Sequence, residues 1–103
     1  MNIKAVENVA NIIEFREGGI FSKVLAHGKH FSATLMCMAA GTAMDEHSTP
    51  RAGILHIIQG RGEFVLEGEK LVMEPGALIK MNPSAKHALS AEEDLAFLLY
   101  LYE

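Results

Sequence analysis

From Gly19 onward the chain is a succession of short apolar runs broken by glycine and proline, and this rhythm limits the fold more than any other feature. The runs IFSKVLA (Ile20 to Ala26), HFSATLMCMA (His30 to Ala39), GILHIIQG, ALIKM, HALS and LAFLLYLY are rich in β-branched and aromatic residues. EFVLEGEKLVME predicts a hairpin, with Glu67-Gly68 as the turn between two apolar arms. Some eight short strands, with a turn about every ten residues, point to an all-β sandwich or barrel. Ala40 to Gly53 (AGTAMDEHSTPRAG) is polar and turn-rich, and is expected to be a connection. Before Gly19, the spacing of Val6, Val9, Ile12 and Ile13 fits either a short helix or an edge strand.

A strand with one wet face alternates apolar and polar residues. Ile54–Ile58 and Leu95–Leu101 do not, so both of their faces need cover. A barrel of this size has a single interior, and a homodimer is the economical way to cover the other face.

Size and charge remove several function classes. The 103 residues allow one domain with its own core, and half of them are hydrophobic. The net charge is −4 and the nine lysines and arginines are scattered, so a nucleic-acid surface is not expected. Cys37 is the only cysteine. That forbids an intrachain disulfide, suits a reducing cytoplasm, and among apolar neighbours implies a packed, inert thiol. The N-terminus lacks the basic start and apolar stretch of a secretion signal, and no run approaches the ~20 apolar residues of a membrane span. A cytoplasmic protein is expected. There is no G-x-S-x-G, no CxxC pair and no phosphate-cradling glycine loop.

Histidine placement is more informative. GTAMDEHSTPRAGILHIIQG resembles the first motif of the cupins, with Gly41, His47 and Gly60 in register. GALIKMNPSAKH resembles the second, with Gly76 and His87 in register and Pro83 one place later than usual, after Asn82. The resemblance spans Lys23 to Leu101 and is nearest to small single-domain cupins that carry HSTP in the first motif. It implies a double-stranded β-helix, or jelly-roll, barrel over residues 23–103, preceded by an N-terminal extension over 1–22. It also implies a metal site, of whose four ligand positions two are kept, His47 and His87. Thr49 stands where the second histidine would be, and Gly53 where the glutamate would be.

A divalent Fe, Mn, Ni or Zn ion usually takes three or more protein ligands, so two losses should weaken binding by orders of magnitude. Possible substitutes are few. Side chains two apart on a strand face the same way, so His47 and Thr49 would both point inward, with the Thr49 hydroxyl able to orient His47 or hold a metal-bound water. His56 has the opposite parity to Gly53 and faces outward unless a bulge intervenes. Asp45 and Glu46 flank His47 and need a similar irregularity. His27 and His30 bracket Gly28 in a solvated turn, and Arg51 sits beside the site-forming loop. The methionines fill irregular core space, with Met36 and Met38 of one parity and able to line a pocket.

Three functions remain open. One is a divalent-metal-dependent enzyme, a dioxygenase or isomerase acting on a small organic molecule. Another is a metal-free or weakly metal-binding cupin that holds a small ligand without catalysis. The third is a structural protein with vestigial histidines. All but the last require His47 and His87 to meet in the interior.

Overall fold

The computed structural model describes residues 5–103. Among these residues nine strands run in chain order as β1 (Ile20–His27), β2 (Phe31–Met38), β3 (Ala43–His47), β4 (Ala52–Gln59), β5 (Gly62–Leu66), β6 (Glu69–Met73), β7 (Leu78–Met81), β8 (His87–Ala91) and β9 (Leu95–Tyr102). Two antiparallel sheets result, a five-stranded one ordered β1-β2-β9-β4-β7 and a four-stranded one ordered β3-β8-β5-β6. Consecutive strands repeatedly cross from one sheet to the other. That is the topology of a jelly roll, which limits exposed edges by closing two sheets over one core.

The core lies between the sheets. Leu55, Ile57 and Phe97 from the larger sheet meet Phe64, Met73 and Leu89 from the smaller. On β4 the burial alternates, with Gly53, Leu55 and Ile57 inward and His56 exposed. The β5–β6 turn is made by Glu67 and Gly68 with φ of 48° and 83°, the two positive values that a tight hairpin matched to strand twist requires.

A second apolar cluster sits on the outer face of the larger sheet. Leu35, Cys37 and Ala96 are covered there by Val9, Ile12, Ile13 and Phe15. Part of the cover demanded by the apolar runs therefore comes from the chain's own N-terminal segment. Among its described residues the one regular piece is a 3-10 turn, Val9–Asn11, capped by the Asn8 side chain accepting from the Ala10 amide. Residues 1–4 of the segment read as helix or edge strand lie outside the described residues. Cys37 is fully buried in this cluster, and burial pushes its thiol up from the ordinary range, as expected for an inert packed thiol.

The connection expected between β2 and β4 needs correction, because it contains β3. Asp45, Glu46 and His47 are exposed and give no apolar alternation, so nothing local marks a strand. Pairing with β8 holds it. A second correction concerns Thr49, which was expected to share His47's strand face: β3 ends at His47, leaving Thr49 in the following loop.

Candidate functional site

The two motif histidines stand opposite one another on the β3–β8 ladder, His47 against His87. Directly opposed residues bring their Cβ atoms to about 4.5–5.5 Å. Here the ring centroids are 4.2 Å apart and the planes are tilted by 60°. The register breaks between Met44 and His47. An extra residue at that break reverses strand parity, which lets Met44 and His47 line the same cavity although they are three positions apart.

The loops that deliver the rings are tied together. The Ser84 amide donates to the Thr49 carbonyl at 2.7 Å, joining the segment after His47 to the segment before His87. Glu67 grips the residue next to His87 twice: its amide donates to the Lys86 carbonyl at 2.8 Å, and its carboxylate accepts from the Lys86 amide at 2.9 Å.

Each imidazole is anchored through the same nitrogen. His47 Nδ1 donates to the Asp45 carbonyl at 2.8 Å, and His87 Nδ1 donates to the Ala85 carbonyl at 3.0 Å. A carbonyl oxygen brings no proton, so both Nδ1 atoms must carry one. The neutral rings are then left with lone pairs on Nε2, the tautomer of a hydrogen-bond acceptor or metal ligand. The surroundings differ. His87 is only 5% exposed and stacks on Phe64, with centroids 5.6 Å apart and planes within 9°, whereas His47 is open to solvent.

Between them lies a cavity of about 40 Å³, whose other walls include Met36, Met44, Leu55, Met81, Phe97 and Leu99. That is room for about three or four waters, a single ion, or the end of a small molecule, given ~10–15 Å³ per water.

The residues do not fit the four-ligand divalent centre that the motif resemblance implies. Among the described residues no three His, Cys, Asp or Glu side chains cluster as a metal site. A Cβ on Gly53, where the glutamate would begin, would lie 2.5 Å from Met81 Cε, 3.1 Å from Met81 Cγ and 3.2 Å from Leu101 Cδ2. Gly53 and Met81 are register partners on β4 and β7, so the methionine fills that space. Thr49 does not compensate, since its hydroxyl accepts from the Arg51 amide at 3.4 Å and it is absent from the cavity wall. His56 is exposed on the outer face, and Asp45 and Glu46 are exposed on β3. His27 and His30 are exposed as well. Arg51 donates to the Lys29 carbonyl at 3.4 Å and lies 3.8 Å from the Glu103 carboxylate.

Sequence reasoning found Met36 but missed Met44, Met81 and Phe64. Met38, its parity partner, is buried in the core and does not line the cavity. The β-bulge hid Met44. Met81 could have been suspected, because a glycine in a core-facing strand position signals that something approaches closely.

Two sheets closed over a pocket that opens at paired motif histidines define a small jelly-roll barrel of the cupin class. Residues 34–101 match the Cupin_2 cupin domain, and the chain belongs to that family. It is similar to a cupin superfamily protein from Desulfitobacterium hafniense, at TM-score 0.90 and 20% identity over 99% of this chain and 98% of that one. A conserved protein of unknown function from Streptococcus pyogenes superposes at TM-score 0.88 and 21% identity, covering 100% and 90% of the two chains. A cupin 2 conserved barrel domain protein from Leptotrichia buccalis gives TM-score 0.89 and 28% identity over 94% of this chain, which spans 47% of that protein. No curated protein matches the chain.

Proposed function

We propose that the chain is a small-ligand-binding cupin that works without a resident divalent metal. The observation that carries this is the pairing of two Nδ1-anchored imidazoles, 4.2 Å apart, at a cavity where Met81 fills the space of the missing carboxylate. The ligand inserts a group of a few heavy atoms, with an apolar part against Met and Leu side chains and an O–H or N–H directed at Nε2 of His47 or His87. One or two placed polar groups in an otherwise apolar wall are what orient a small molecule.

The test is a thermal-shift series on untagged protein with small alcohols, amides and amines. A ligand at about 100 times its Kd adds about 2.7 kcal/mol to the folded state. For a domain of this size that raises Tm by well over 4 °C. The shifts are expected in the parent and absent in His47→Ala. Equal shifts in both proteins, or near-stoichiometric Fe, Mn, Ni or Zn in the purified protein, would refute the proposal. The latter result would favour the metal-dependent enzyme.

The same proposal includes a cytoplasmic homodimer. The lone buried cysteine suits a reducing compartment. Leu78, 56% exposed, and Tyr100, 38% exposed, flank His56 and Ile54 across β7, β4 and β9 and offer an apolar contact face. Light scattering that gives a monomer mass at micromolar concentration would remove the dimer. No helix among the described residues is long and apolar enough to cross a membrane.

A further inference from the structure

We infer that the His47–His87 cavity is a site for a soft monovalent metal ion, Cu(I), held by the two Nε2 atoms together with thioether sulfur from Met44 and Met81. The inference shares the paired imidazoles with the proposed function but needs no organic ligand.

Three thioethers line this one cavity, and they come from three different strands: Met36 from β2, Met44 from β3 and Met81 from β7. Methionine often serves only to fill gaps in a core. Met38 and Met73 do that here, fully buried and away from the cavity. The other three border open space shared with two imidazoles, and Met81 extends across Gly53 into the room of a lost carboxylate.

That exchange changes the chemistry of the walls. Carboxylate oxygen and water suit Mn(II) and similar ions, whereas neutral thioether sulfur is soft and selects Cu(I), with imidazole acceptable to both groups. Both Nδ1 atoms are already committed to backbone carbonyls, so each ring offers a single nitrogen and its orientation is held from behind.

Size agrees, and the ring spacing falls about 1 Å short of the tetrahedral one. A cavity of about 40 Å³ suits one ion. A metal–nitrogen bond of about 2.0 Å puts each ring centroid about 3.2 Å from a shared ion. Centroids 4.2 Å apart then subtend about 80° at that ion. A tetrahedral N₂S₂ arrangement, near ~109°, needs the rings about 1 Å further apart. His87 is packed against Phe64, but His47 is solvent-exposed beside the strand irregularity and has room to make that movement.

The experiment is anaerobic titration of untagged protein with Cu(I) in competition with the chromogenic chelator bicinchoninate. It is run in a Cys37→Ala background, so that no thiolate takes part. One Cu(I) per chain is expected. His47→Ala and the volume-conserving pair Met44→Leu/Met81→Leu should each weaken binding by at least about tenfold. Circular dichroism of each variant confirms folding before titration. Cu(I) affinity unchanged in the Met→Leu pair overturns the inference, as does affinity unchanged in His47→Ala. A parent that responds to organic ligands in the thermal-shift series, yet takes Cu(I) no better than His47→Ala, overturns this inference alone and leaves the proposed function standing. Cu(I) retention with no organic ligand response does the reverse.

Discussion

Replacing Gly53 by alanine tests whether Met81 occupies the room that a longer side chain at position 53 would need. The added methyl would sit 2.5 Å from Met81 Cε. Carbon atoms pack at about 3.5–4.0 Å, so the thioether end must retreat by about 1 Å in a site that is nearly closed to solvent. Overpacking of this kind costs about 1–3 kcal/mol. Gly53 does not have a positive φ, so alanine suits the backbone and stiffens the unfolded chain, which offsets about 0.4–1 kcal/mol. The net expected loss lies between about 0 and 2.6 kcal/mol. Met81→Ala empties a buried site and should lose about 2–5 kcal/mol. In the double variant the clash is gone and the new methyl fills part of the hole. Its loss should therefore fall short of the sum of the singles by about 1–3 kcal/mol, well outside the ~0.3–0.5 kcal/mol scatter of independent sites. Urea unfolding of the parent and three variants, followed by circular dichroism with a common m-value, measures this coupling. Additive losses in the double variant would show that Met81 is not in that space and that position 53 remains open to a carboxylate-bearing side chain.

Three further outcomes are expected. Gly60→Ala should cost about 3 kcal/mol or more in urea unfolding, since Gly60 has φ of 87° and its Cβ would collide with the Asp94 backbone carbonyl, which cannot swing aside like a side chain. His87→Ala should lose about 1–3 kcal/mol by stranding the Ala85 carbonyl and unstacking Phe64, while His47→Ala, at an exposed position, should lose under about 1 kcal/mol. Cys37 should resist iodoacetamide in the folded protein at pH 8 and react only on unfolding. Because burial raises the thiol in the folded state, its contribution to stability is present below the ordinary thiol range and is lost as pH rises through the raised value, so a Cys37→Ala comparison by thermal melts should show a smaller decline in alkali.

What could be read from the chain alone was whatever rests on local chemistry. The β4 parity that places Leu55 inward and His56 outward follows from strand periodicity, and Glu67-Gly68 is a turn because both positions tolerate positive φ. The cavity was less legible, because its walls are assembled by irregularity and by distance. Met44 reaches it only through the break before His47, and Met81 only because a glycine on the neighbouring strand makes room. β3 itself was missed since Asp45, Glu46 and His47 owe their extended conformation to β8, which lies about forty residues away in sequence. The role of the N-terminal segment was hidden for the same reason: Val9, Ile12, Ile13 and Phe15 announce an apolar face but not the sheet surface that it caps.

The unequal settings of the two imidazoles have a kinetic consequence. With one ring wedged beneath Phe64 and the other facing water, the pair works like a vise with one fixed jaw and one moving jaw. Because His47 is the exposed member of the pair, changes around it should act on both association and dissociation rates of whatever occupies the gap, whereas changes around the buried His87 should act on how well the gap is shaped in the first place.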